Sequence, residues 1–209
     1  MTNINKTPEK LVMRKRLGDI GIEALQMDGW AVEKIRGSGK SSMRRITRGK
    51  ERRDIAIRTT QDQWIAFPRN DSEDGWKTLS QVDAVVVVSV DDVENPRFGL
   101  VHFIEGDEMR SRFDRAYEAR IAAGHQLDAG RGIWLSLYHR EANPPVRLVG
   151  AGVGRDHPPI VRLPLWPEKK ESNLDVRGPM ESITILEAKE LLARSLGVDP
   201  SNIRISIEA

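Results

Sequence analysis

The spacing of apolar residues changes several times along the chain, and each change predicts a different element. Between residues 8 and 28 the apolar positions recur at roughly helical intervals, which predicts a helix that Gly29 ends. Gly18 and Gly21 lie inside this helix, where each glycine costs about 1 kcal/mol relative to alanine. Either another backbone approaches these glycines closely, or the helix begins only near Leu17.

Short strand-like runs follow the helix. The first is predicted to start at residues 30–32. Residues 42–47 and 53–60 form two further runs on either side of a tight polar turn at residues 48–51, and another run covers residues 63–67. We expect the runs at 42–47, 53–60 and 63–67 to pair as a three-stranded antiparallel meander.

The middle of the chain combines a continuous apolar run with two further strands and a helix. Residues 82–90 are rich in valine, which is typical of a central strand that is buried on both faces. Residues 98–104 and 133–138 predict strands, and the apolar spacing within residues 108–123 predicts a second helix. This order of elements predicts an α/β fold with a mixed central β-sheet flanked by helices.

Proline content sets the expected domain organisation. Seven of the eleven prolines lie between residues 141 and 180, which predicts an extended and poorly packed linker. We therefore expect an α/β domain over residues 8–140, a proline-rich linker over 141–180 and a small C-terminal β-α-β element over 181–209.

The C-terminal element is predicted from three short patterns. Residues 182–185 indicate a strand, residues 186–196 a helix with an apolar face, and residues 203–207 a second strand. A unit of this size is too small to be stable alone, so we expect it to dock on the main domain or on a second copy of the chain. A homodimer contact and a target-binding module are both consistent with this element.

Composition excludes several classes of protein. The chain has no cysteine, which rules out disulfide scaffolds, thiolate metal sites and cysteine nucleophiles and fits a reducing compartment. The longest apolar run, residues 84–88, is far shorter than the roughly 20 residues of a membrane span. No histidine and acid spacing typical of a zinc site is present. We expect a soluble cytoplasmic protein with no membrane partner and no resident metal or cofactor.

Charge is unevenly distributed along the chain. The net charge is only +2, yet residues 34–58 contain ten lysines and arginines and two acidic residues. Such a basic segment favours a polyanion partner, although a solvated and highly charged hairpin would have the same composition. Nucleic acid, with DNA favoured, is the predicted partner. The predicted contacts with its phosphates are Lys40, Arg44, Arg45, Arg48, Lys50, Arg52 and Arg53.

Three short stretches within this order of elements resemble a known superfamily. Residues 22–25 (Ile-Glu-Ala-Leu) and 29–32 (Gly-Trp-Ala-Val) are similar to the opening helix and first strand of the restriction-endonuclease-like, or PD-(D/E)xK, nucleases. Residues 55–60 (Ile-Ala-Ile-Arg-Thr-Thr) resemble the strand that in this superfamily reads apolar-Glu-apolar-Lys-Thr. The resemblance covers about residues 15–140 and implies a nucleic-acid-binding protein on a nuclease-like fold.

The same resemblance implies that the catalytic motif is degenerate. These nucleases hold Mg²⁺ between an aspartate on one strand and a glutamate two residues before a lysine on the next. Here Ala56 stands at the glutamate position and Arg58 at the lysine position, and Asp54 remains as a single nearby acid. The expected function is therefore binding without metal-dependent cleavage.

Alternatives to this interpretation remain open. An active Mg²⁺-dependent nuclease would use Glu23, Asp54 and Arg58, whereas Arg58 would have a purely structural role if it paired with Glu23 or Asp54. A protein-interaction module would present the basic segment to an acidic partner. Trp64 and Phe67 are candidates for stacking on bases, although aromatic residues at such strand positions are more often part of a core.

Overall fold

The structure of the protein is a computed structural model that describes residues 7–35, 42–70, 72, 74–127, 130–166 and 184–205. The chain divides into two compact units, residues 1–166 and residues 167–209. None of the helices within the described ranges combines the length and the apolar composition needed to cross a bilayer.

The first unit has an α/β architecture, as the sequence predicts. Its elements in chain order are α1 (Pro8–Met27), β1 (Ala31–Lys34), β2 (Met43–Arg48), β3 (Glu51–Thr60), β4 (Trp64–Pro68), β5 (Ala84–Val90), β6 (Phe98–Glu105), α2 (Gly106–Ala122), β7 (Gly132–Ser136), α3 (Val153–Asp156) and β8 (Val161–Pro164). Six strands form a mixed sheet in the order β1-β2-β3-β5-β6-β8. Only β3 and β5 run parallel, and every other neighbouring pair is antiparallel.

Strand β5 is the centre of the sheet. All seven of its residues are buried, which confirms the prediction made from the continuous valine run. Helix α1 covers one face through Leu17, Ile20 and Leu25, which join a core with alternate side chains of β3 and β5. On the other face, α2 packs through Met109 and Phe113 together with β4 and β7. The sheet therefore has a separate apolar core on each side.

Helix α1 begins at Pro8, so a start near Leu17 is wrong. The Thr7 hydroxyl accepts a hydrogen bond from the backbone of Lys10 at 3.4 Å and caps the first turn. Gly21 lies against the sheet, where a Cβ atom would come within 2.9 Å of Val88 Cγ2. The close neighbour of Gly21 is therefore a side chain and not a backbone, whereas a Cβ atom at Gly18 would meet no atom within 4 Å.

The predicted meander is wrong at its third strand. Strands β1, β2 and β3 form the antiparallel meander, whereas β4 leaves the sheet and pairs with β7 in a separate two-stranded sheet. The chain turns directly after β3, where the Thr60 hydroxyl donates to Asp62 at 2.8 Å and accepts from the backbone of Trp64 at 3.1 Å. The edge of β3 that β4 would have needed is occupied by β5, whose apolar residues require neighbours on both sides.

The prediction of an extended, poorly packed linker is wrong for residues 141–166. Ala151, Val153 and Leu165 in this segment are fully buried, and β8 pairs with β6 at the edge of the main sheet. Arg112 of α2 fastens the segment by donating to the Ala151 carbonyl at 2.9 Å and to Asp156 at 2.6 Å. The remainder of the predicted linker, residues 167–180, lies outside the described residues.

A chain of buried polar groups crosses the core behind β5 and β6. The ring of His102 bonds through Nδ1 to the carbonyl of His157 at 2.7 Å, so Nδ1 is the donor. In the neutral ring Nε2 then accepts from the Tyr138 hydroxyl at 2.8 Å, and Ser89 donates to the Tyr138 oxygen at 2.6 Å. Burial lowers the pKa of His102, which keeps the ring neutral and fixes these donor roles.

The described part of the second unit, residues 184–205, contains helix α4 (Ile185–Leu196) and a single 3-10 turn at Pro200–Asn202. Thr184 and Glu187 form a reciprocal capping box at the start of α4, and Gly197 ends it. This range contains no strand, so the predicted β-α-β pattern is wrong for Thr184, Ile185 and residues 203–205. Residues 182–183 and 206–207 of that prediction lie outside the described residues.

Candidate nucleic-acid interface

The predicted nucleic-acid contacts are already engaged in part with acidic side chains of the protein. Arg45 donates two hydrogen bonds to Asp54, at 2.7 and 2.9 Å. Arg53 pairs with both carboxylate oxygens of Glu105 on β6. Hydrogen bonds to these carboxylates raise the pKa of both arginines, because the carboxylates stabilise the charged form. Lys40 lies outside the described residues.

The other predicted contacts do not share one surface. Arg48 contacts Asp28 at 3.0 Å, and Lys50 and Arg52 are exposed at and beside the β2–β3 turn. Arg44 faces away from Arg52, because successive side chains of a strand alternate between the two faces of the sheet. The described basic residues of this segment therefore do not form a single positive face.

A positive surface does form where α1 passes the end of β3. A cleft of about 860 Å³ lies there, and we call it the basic cleft. Five basic and two acidic side chains of the described residues line it, and their formal charges sum to +3. The charged lining residues are Lys10, Arg14, Lys15, Arg44 and Arg58, with Asp19 and Asp62.

Within the described residues, β3 is longer than its partner β2, and the cleft lies at the end of β3 that extends past β2. Met43, the first residue of β2, pairs with Ala56, and the Ser42 carbonyl accepts from the backbone of Ile57 at 2.8 Å. The last residues of β3 therefore extend past β2 beneath the first half of α1. The side-chain amide of Gln61 donates to the Lys10 carbonyl at 3.0 Å and holds the start of the helix over this end of the strand.

Helix α1 supplies one wall of the basic cleft. Lys10, Arg14 and Gly18 follow at intervals of four residues and so lie along one stripe of the helix. Gly18 leaves room between the helix and β3, since no atom would lie within 4 Å of a Cβ atom there. Lys10 and Arg14 were not part of the predicted interface. Their four-residue spacing within a predicted helix would have placed them on one face of that helix.

Arg58 lines the cleft and lacks an acidic partner among the described residues. Its guanidinium is 4.3 Å from the ring centre of Phe67 and donates one hydrogen bond, of 3.3 Å, to the Ser42 hydroxyl. Its Nε atom is buried without a hydrogen-bond partner. Burial, together with the nearby charge of Arg14, lowers the pKa of Arg58 to about 10. Arg58 is thus a cation held in an unfavourable environment.

Tryptophans line the opposite wall. Trp64 and Ala66 of β4 share an outward face with Trp134 of β7, which pairs directly with Ala66. Trp134 is 53% exposed, whereas Trp64 is half-buried and lies 5.8 Å from the His139 ring. The alternate side chains of both strands are core residues, and Phe67 among them is fully buried, as expected.

The structure separates the three residues predicted for catalysis. Glu23 lies on α1, which covers one face of the sheet, whereas Asp54 shares the opposite face with Ala56. Glu23 contacts Arg16 at 3.5 Å and Asp54 is engaged with Arg45. An ion pair between Arg58 and either acid, the structural alternative for Arg58, is therefore wrong.

Ala56, which the sequence resemblance places at the catalytic glutamate of the PD-(D/E)xK nucleases, is part of the core. Ala56 is completely buried between the sheet and α2. Within the described ranges, no three His, Asp or Glu side chains lie close enough together to hold a metal ion.

Comparisons of this chain with protein families, with curated proteins and with solved structures found no match.

Proposed function

We propose that this protein binds nucleic acid through the basic cleft and does not cleave it. The observation that carries the proposal is the environment of Arg58. An unpaired, half-buried cation beside four other basic residues is unfavourable in the free protein. A phosphate group would supply the missing negative partner, and arginine binds phosphate oxygens with two parallel hydrogen bonds.

The order of elements supports a restriction-endonuclease-like origin for this fold. A helix precedes an antiparallel three-stranded meander, and a buried strand parallel to the third meander strand and a second helix follow. The sequence resemblance rests on the succession of helix, meander, strand and helix, with β4 as the third meander strand, whereas the structure forms the meander from β1, β2 and β3. The buried Ala56 leaves no carboxylate at the position of the metal-binding glutamate, which supports binding without cleavage.

The test is fluorescence anisotropy with labelled single-stranded DNA, duplex DNA and RNA at 50 and 200 mM salt. The variant Lys10→Gln/Arg14→Gln removes two charges from the cleft wall. The control Lys50→Gln/Arg52→Gln removes two exposed charges from the meander outside the cleft.

We expect the cleft variant to weaken binding at least tenfold. The slope of log affinity against log salt should also become less negative, by about 1.4 for a single strand or about 1.8 for a duplex. The meander control should bind almost as tightly as the wild type. Equal losses of affinity in both variants would show that the whole meander contributes to the interface. The absence of binding at 50 mM salt would refute the proposal.

A parallel incubation with Mg²⁺ or Mn²⁺ tests the alternative of an active nuclease. We expect intact nucleic acid after incubation. Metal-dependent cutting that Asp54→Ala abolishes would show that the interpretation of the motif as degenerate is wrong.

A further inference from the structure

The two walls of the basic cleft differ in chemistry, and the difference identifies the form of nucleic acid that fits. The wall formed by α1 and the end of β3 carries positive charge, whereas the wall formed by β4 and β7 presents tryptophan. Building on the function proposed above, we propose that the cleft takes single-stranded nucleic acid. The phosphates contact the basic wall, and one unstacked base stacks on the indole of Trp134.

Trp134 presents its ring to solvent because of strand alternation. Its neighbours Ile133 and Leu135 point into the core, which forces the side chain of Trp134 outward. The residue directly opposite is Ala66, which is too small to cover an indole. A large aromatic side chain that is 53% exposed beside a positive cleft is an open stacking surface.

The backbone that carries Trp134 is fixed. The guanidinium of Arg120 on α2 donates to the Trp134 carbonyl at 3.0 Å and to the Ala116 carbonyl at 2.8 Å. These bonds tie the strand to a helix whose packing face is part of the core. The indole is therefore presented from a rigid element, which limits the entropy lost when a base stacks on it.

A duplex does not use both walls. The faces of its bases are covered by stacking, so it presents mainly phosphates and groove edges to a protein. A single strand exposes phosphates on one side and base faces on the other, and proteins that bind single strands combine a positive groove with aromatic side chains. The cleft volume of about 860 Å³ lies within the range for sites that enclose small ligands, about 300–1,000 Å³.

The chain supplies a matched control for the stacking residue. Trp166 is also 53% exposed but does not line the cleft. The variants Trp134→Ala and Trp166→Ala therefore remove the same side chain from equally exposed positions. Trp134→Phe keeps an aromatic ring and reports on stacking itself. Thermal unfolding followed by circular dichroism establishes that each variant is folded.

The experiment measures the affinity of each variant for four labelled probes at 50 mM salt. The probes are 20-nucleotide oligo-dT, oligo-U, a duplex of the same length and a DNA strand of the same length in which every nucleotide is abasic. We expect the wild type to prefer the two single strands that carry bases. Trp134→Ala should weaken their binding about five- to a hundredfold, while the duplex and abasic affinities and the slope of the salt dependence stay unchanged. Trp134→Phe should restore most of the loss, and Trp166→Ala should change nothing.

Two results would overturn the inference and leave the proposed function standing. One is a wild type that binds the duplex as tightly as the single strands, and the other is a Trp134→Ala variant that binds all four probes as the wild type does. If none of the probes binds, the proposed function itself fails.

Discussion

Replacing Arg58 with methionine should make the protein more stable while it weakens nucleic-acid binding. Methionine keeps an unbranched chain that can pack on Phe67, but it removes the unpaired charge and the buried Nε atom that lacks a hydrogen-bond partner. A residue kept for structure gives the opposite result, because its removal destabilises the fold. The sign of the change in stability therefore separates a binding role from a structural one.

The magnitude follows from the environment of the guanidinium. A pKa lowered to about 10 corresponds to about 3 kcal/mol against the charged form in the folded state, at about 1.4 kcal/mol for each tenfold change in acidity. Removing the side chain also loses a cation–π contact, about 0.5–1 kcal/mol, and the hydrogen bond to Ser42, about 1 kcal/mol. The net expectation is a gain of about 1 kcal/mol, or about 2–4 °C in the unfolding temperature.

The gain should be the same across the neutral range of pH. Because the folded-state pKa is lowered, the charged form is penalised in full at every pH below about 10. Only at higher pH does the folded protein release this proton before the unfolded chain does, and there the stability of the wild type rises relative to the variant. Urea unfolding at pH 6 and pH 8, followed by tryptophan fluorescence, should give one difference in free energy.

The control is Arg45→Met, which removes an arginine of the same hairpin that has an acidic partner. This variant leaves Asp54 without its two hydrogen bonds and should lower stability, with little effect on binding. The reasoning about Arg58 is refuted if Arg58→Met loses more than about 1 kcal/mol. It is equally refuted if the variant binds nucleic acid as tightly as the wild type.

Three further predictions concern stability and are measured by urea unfolding. Gly18→Ala should stabilise α1 by about 0.5–1 kcal/mol, because the added Cβ atom would have no atom within 4 Å. Gly21→Ala should destabilise the protein by about 1–3 kcal/mol, because the added Cβ atom would lie 2.9 Å from a valine methyl group. Equal effects at both positions would contradict this packing. Tyr138→Phe leaves two buried polar groups unpaired and should cost about 1–3 kcal/mol, while Tyr117→Phe serves as the control on the same core. Burial lowers the pKa of His102, so the unfolded chain binds a proton at this residue before the folded protein does. Stability should therefore fall as the pH drops below about 6.5. The variant His102→Gln should show a smaller loss of stability between pH 7 and pH 5.

The elements that sequence predicts well are those with a strong local signal. The valine run of β5 and the helical periodicity of α1 each specify their own structure. The partner of residues 64–68 is not specified locally, since an alternating strand fits any apolar surface and the choice of β7 over β3 depends on the whole sheet. Proline content was misleading at β8, because an edge strand tolerates proline at its end, where Pro164 lies.

The site was only partly predictable for a similar reason. Counting charge along residues 34–58 identified Arg44 but could not show that Arg45 faces Asp54 across the hairpin. Arg58 was identified through the superfamily resemblance, as a substitute for a catalytic lysine. Its significance in the structure is different, and it depends on α1 bringing Arg14 close to a strand that is distant in sequence.

The pairing of β4 with β7 affects the order in which the cleft forms during synthesis. Strand β4 lies in the connection between the parallel strands β3 and β5, it ends at Pro68, and its partner begins only at Gly132. A nascent chain that has not reached β7 already contains the basic wall but lacks Trp134 of the aromatic wall, and Ile65 and Phe67 have no partner strand. The tryptophan wall is thus a late product of folding that depends on long-range contacts. A chain that stops before residue 132 would display the positive charge of this surface without Trp134, and its uncovered apolar strand would favour aggregation.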